Sequence, residues 1–106
     1  MKRYVVLAAL ASTMIAAPAM ADLDLAKKSG CLACHGIDKK VVGPSWKDVA
    51  AKYKGQDSAR ADLIVAIAKG SKGKWVSVTG GVPMPPYSPR VSDADIETLT
   101  DFILGM

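Results

Sequence analysis

The stretch that decides this chain is Gly30-Cys31-Leu32-Ala33-Cys34-His35. Its two cysteines are the only ones in 106 residues, and the only histidine follows the second directly. On one helical turn, positions i, i+3 and i+4 share a face, so both sulfurs and the imidazole can meet one flat ligand together. This is the spacing of covalent haem c attachment, with Cys31 and Cys34 as thioether sites and His35 as the proximal iron ligand. Three other chemistries use paired cysteines. A thioredoxin-like dithiol wants a βαβ setting that is missing here, and a zinc site wants more than two sulfurs and one nitrogen. A structural disulfide suits an oxidising compartment. None of the three calls for a histidine at that position.

Upstream, Met1-Lys2-Arg3 precedes a mostly apolar run, and Ala19-Met20-Ala21 has the small-x-small form of a signal-peptidase site. Residues 1–21 are therefore expected to be a removed signal peptide that sends a single domain, residues 22–106, to the periplasm. A retained anchor is the competing reading. The apolar run is interrupted by Ser12 and Thr13 and closed by Pro18, which leaves it short of the roughly 18 to 20 residues of a spanning helix, so no stable membrane insertion is expected. A domain of this size buries barely enough apolar surface to offset its chain entropy, so a bound group should help to fill the core.

Downstream the pattern is all-α, with about four helices. A short amphipathic helix over 22–29 ends ahead of Cys31, and 36–44 reads as a loop closed by Gly43-Pro44. Trp46, Val49, Ala50 and Tyr53 form one stripe with Ser45 as N-cap. Leu63, Ile64, Ala66 and Ile67 mark a third helix from Asp57 or Ser58 to Lys69, and Gly70 stands where a C-cap would. Residues 70–90 are too rich in glycine and proline for a regular element, and Trp75 to Thr79 is the only scrap of β character. Ser92-Asp93-Ala94-Asp95 resembles a capping box, and Ile96, Leu99, Phe102 and Ile103 line one face of a last helix expected to pack on the first.

Iron has a second axial position, and with one histidine in the chain bis-histidine ligation is excluded. Beyond the leader only Met84 and Met106 carry a thioether, and Met106 is the chain end. Met84 lies in Val82-Pro83-Met84-Pro85-Pro86, where the prolines restrict the backbone and lower the entropy lost in holding a weak ligand. The plainer alternative is a core methionine in a proline-rich loop.

Lys2 and Arg3 leave with the leader, so 12 of 14 basic residues remain against 10 acidic, a formal +2 in place of +4. Residues 22–74 hold 11 basic and 6 acidic side chains, whereas 75–106 hold Arg90 against Asp93, Asp95, Glu97 and Asp101. Such a dipole suits docking to an acidic redox protein, with Lys27, Lys39, Lys40 and Lys72 as candidates to ring a haem edge. Solvated lysines that only keep the protein soluble are the bland alternative. Export and modest charge argue against nucleic acid, and a monomer is expected.

With these residues quoted, the chain resembles the short bacterial class I cytochromes c over essentially all of residues 22–106. The marks are the Gly30 to His35 motif, Gly43-Pro44, Asp48-Val49-Ala50-Ala51-Lys52-Tyr53, the stretch 70–75 and Pro83-Met84-Pro85-Pro86. The resemblance implies a cytochrome c fold wrapped round one haem, with its terminal helices together. It implies His35 and Met84 as axial ligands, the Pro44 carbonyl accepting the proximal imidazole N–H, and Trp75 contacting a haem propionate. One departure stands out: 76–82 is longer than the family's usual segment.

Histidine and methionine together give a low-spin iron suited to passing single electrons between a donor and an acceptor protein, without catalysis on a bound substrate. A haem enzyme or gas-binding sensor would need an open sixth position, against which Met84 in its proline clamp argues. A haem-bearing subunit permanently docked to a larger enzyme would use similar surfaces.

Overall fold

Five helices succeed one another in the computed structural model, which describes residues 17–106. They are α1 (Ala17–Lys28), α2 (Trp46–Tyr53), α3 (Ala59–Lys69), α4 (Val76–Thr79) and α5 (Asp93–Leu104), with a 3₁₀ turn at Cys31–Ala33 between α1 and α2. Among the described residues β pairing is limited to two isolated bridges, His35 with Lys40 and Ser71 with Met84. Most of the expected leader, residues 1–16, lies outside the described residues. Helix α1 already includes Ala17 to Ala21, ahead of the expected Asp22.

Helices α2 and α5 start as their caps predict. The Ser45 hydroxyl accepts from the Asp48 N–H and the Ser92 hydroxyl from the Asp95 N–H, each at 3.2 Å. Helix α3 starts otherwise: Ser58 is itself helical, and its hydroxyl donates to the Asp62 carboxylate at 2.9 Å. Trp46, Val49 and Tyr53 of α2 are buried, as are Ala59, Leu63, Ala66 and Ile67 of α3. Helix α5 is the hub against which α1, α2 and α3 all pack. It buries Ile96, Leu99 and Ile103, while Phe102 is half-buried with its ring edge-on to Trp46. Thr100 is fully buried there as well, its hydroxyl donating to the Ile96 carbonyl at 2.8 Å. A stripe read from apolar residues alone misses such a threonine, which needs no partner outside its own helix.

One expectation fails in the lengthened segment. Residues 70–90 were read as free of regular structure, with a β scrap at 75–79, yet Val76–Thr79 is a helical turn. A strand there would need a partner, whereas the turn satisfies its own backbone: the Val78 and Thr79 N–H groups donate to the Trp75 carbonyl and Gly80 N–H to Val76.

Candidate cofactor site

Left-handed Gly30 (φ 86°) separates α1 from the turn that carries the cysteines. Within that turn the Cys34 and His35 N–H groups both donate to the Cys31 carbonyl, at 3.1 and 3.0 Å, which brings the two sulfurs and the imidazole onto one short arc. The thiols are not joined. Burial pushes the Cys31 thiol up, so it stays neutral. The next loop folds back on the motif, with the Val42 and Gly43 N–H groups donating to the Cys34 carbonyl at 3.1 and 2.8 Å.

That return places Pro44 beside the imidazole. His35 Nδ1 lies 2.7 Å from the Pro44 carbonyl oxygen, which can only accept, so Nδ1 carries the proton and Nε2 keeps its lone pair for a metal. The ring is constrained at Gly43 as well, because a Cβ there would fall 2.7 Å from His35 Cε1. Trp46 stacks on the same ring at 6.0 Å between centroids, with 21° between the planes.

Met84 arrives from a different loop. Its N–H donates to the Ser71 carbonyl at 2.7 Å, and its carbonyl accepts from the Ser71 N–H at 3.0 Å. Cys31, Cys34, His35 and Met84 all line one mostly apolar cavity of about 1070 Å³, counting its open mouth. Its walls include Trp46, Val49 and Tyr53 of α2, Leu63 and Ile67 of α3, Leu99 and Ile103 of α5, Thr79 of α4, and Tyr87 from the loop before α5. Pro44 and Trp75 line it too. The Lys52 ammonium sits 4.4 Å from the Trp75 ring centroid and donates to the Lys74 carbonyl at 3.2 Å.

Of the lysines expected around the opening, Lys72 lines it, joined by Lys74, which sequence reasoning did not single out for this role. Lys40 instead donates to the Val78 carbonyl at 3.1 Å and ties the two loops together. Lys27, in the last turn of α1, is not among the lining residues. Also missed were the close approaches of Gly43 to His35 and of Gly70 to Met84, since a glycine's neighbours in space leave no trace in its sequence neighbourhood.

The donor set fits a covalent haem. Two thiols can bond the vinyl groups of a macrocycle as thioethers, one imidazole nitrogen and one methionine sulfur suit the axial positions of a porphyrin iron, and the apolar walls suit a flat macrocycle. Among the described residues no cluster of three or more His, Cys, Asp or Glu side chains forms a rival metal site.

The model of the family described as "Cytochrome c" matches residues 24–106. Cytochrome c-552 of Nitrosomonas europaea is 49% identical over 98 residues, 92% of this chain and 90% of that protein. Cytochrome c-551 of Pseudomonas aeruginosa is 47% identical over 108 residues, 99% of this chain and 98% of that protein. The crystal structure of the Nitrosomonas europaea cytochrome c552 superposes with a TM-score of 0.71 at 51% identity, covering 78% of this chain and 96% of that one. The haem-attachment spacing, the apolar cavity around it and these likenesses together make the chain a member of the cytochrome c family, a class I monohaem cytochrome c that carries one haem c and passes single electrons.

Proposed function

We propose that Cys31 and Cys34 hold the haem through thioethers, that His35 Nε2 and the Met84 sulfur take the two axial positions, and that electrons enter and leave at the cavity mouth. The observation that carries this reading is that the four residues, drawn from two loops 49 positions apart, line the same apolar cavity. The haem supplies an iron that gains or loses one electron. The protein's residues do the rest. The Pro44 carbonyl orients the imidazole and makes it a better donor. Buried Trp46, Leu99 and Ile103 exclude water, and Trp75, with the Lys52 ammonium against its ring, would contact a haem propionate. With both axial positions filled, the site has no place for a substrate, so the chain acts as a carrier rather than an enzyme.

The partner is a redox protein with an acidic docking surface. Between Asp62 and Asp93 the chain has no acidic residue but carries Lys69, Lys72, Lys74 and Arg90, and this stretch contributes Ser71 to Trp75 and Val82 to Pro85 to the cavity's lining. The leader-like start of the chain supports export to the periplasm, and among the described residues no helix is long and apolar enough to cross a membrane.

Optical spectroscopy of the oxidised and reduced holoprotein beside Met84→Ala tests the ligand set. The wild type should be low-spin in both states, and the variant should lose the far-red sulfur-to-iron absorption and bind added imidazole readily. A variant with an unchanged ferric spectrum would remove Met84 from the site.

A further inference from the structure

Backbone contacts to the end of α3, rather than the proline pair alone, hold the Met84 loop. The Tyr87 and Ser88 N–H groups donate to the Ile67 and Ala68 carbonyls, at 3.0 and 3.1 Å, which the helix end would otherwise leave unpaired. Ser71 then pairs with Met84 in both directions. Between these two anchorages lies Gly70, with φ 84° and ψ 169°, a region that residues other than glycine hardly populate. A Cβ there would sit 2.6 Å from the Met84 carbonyl oxygen and 3.2 Å from the Pro86 nitrogen, both backbone atoms that cannot swing aside.

We infer that Gly70 is a positioning residue for Met84: its missing side chain lets the loop close onto α3, and this contact sets how firmly the thioether is presented to the iron. The inference rests on the axial role proposed above for Met84. Gly81 supplies the comparison, because it has a positive φ of 95° in the same stretch between α3 and α5, open space around its Cβ direction and no place in the cavity's lining. Backbone strain at positive φ affects both glycines, whereas the clash with Met84 affects only Gly70.

The test compares holoprotein Gly70→Ala with Gly81→Ala, reading the far-red absorption of the ferric form and its affinity for added imidazole. Gly70→Ala should weaken that absorption and bind imidazole at least about tenfold more tightly, while Gly81→Ala stays within about twofold of wild type. Identical behaviour of the two variants, with wild type showing the absorption, would overturn the role of Gly70 and leave the ligation reading intact. A wild type lacking the absorption would overturn both. If Gly70→Ala does not accumulate, amide exchange in the wild type decides: the Met84 and Tyr87 amides should exchange at least about tenfold more slowly than those of Gly73 and Lys74. Equal rates would overturn the inference.

Discussion

The His35 ring is held on three sides: Nδ1 by the Pro44 carbonyl at 2.7 Å, one face by Trp46, and Cε1 by the bare backbone of Gly43. A methyl group at Gly43 cannot enter without pushing the imidazole off its hydrogen bond, since 2.7 Å is well inside carbon–carbon contact. Gly43→Ala should therefore lower the unfolding free energy of the holoprotein by about 1–3 kcal/mol, the usual cost of overpacking, measured by guanidinium unfolding followed at the haem absorption. An unchanged midpoint would mean the loop yields freely and the ring is not clamped. The motif made Cys31, Cys34 and His35 legible as a unit, because their relation is one of sequence spacing. The clamp was only half legible: Gly43-Pro44 announces a turn but not what the turn leans against.

At the scale of elements, α3 and α5 are joined by surface charge as well as by apolar contact. Arg60 Nε donates to Asp101 Oδ1 at 2.8 Å and its Nη2 to Oδ2 at 3.3 Å, with Glu97 3.8 Å away. The hydrogen bond from Arg60 holds the Asp101 carboxyl below its ordinary 3.8. A depressed carboxylate stabilises the fold above its unfolded value, and that stabilisation is lost as the pH falls through the folded value. Arg60→Gln should accordingly be slightly less stable than wild type at pH 7, and the gap should close as the pH falls through the folded Asp101 value and shrink in high salt, as thermal unfolding would record. A gap that persisted at acid pH would assign the effect to packing of the arginine stem. Both halves of this bridge lie on helices whose apolar stripes were readable from the 3.6 period. Their mutual register was not, because 41 positions separate the partners.

For the molecule as a whole, the charge asymmetry is organised around the cavity. The acids of the chain's last third all lie on α5, and the segment between Asp62 and Asp93, from which Ser71 to Trp75 and Val82 to Pro85 line the cavity, carries cations alone. A split at residue 74 divides a net positive stretch from a net negative one, but the all-cationic run of residues 63–92 crosses that boundary. Oxidation of the reduced protein by ferricyanide, an anion, should slow several-fold between about 10 mM and 0.5 M salt, and oxidation by a cationic cobalt complex should quicken. Stopped-flow rates check this, and equal salt dependence for the two oxidants would mean that electrons leave by a surface without net charge.

The sequence by itself determined the haem chemistry, the all-α class and the helix stripes, because these follow from spacing within one turn or from a 3.6-residue period, which are local relations. Only the tertiary structure decided the rest. It turned 76–79 into a helical turn and enclosed Thr100. It brought Lys74 rather than Lys27 to the cavity mouth, and it pressed Gly70 against Met84. Those outcomes depend on which distant backbone atoms share a volume, and close packing of loops against helix ends settles that through contacts between residues far apart in the chain.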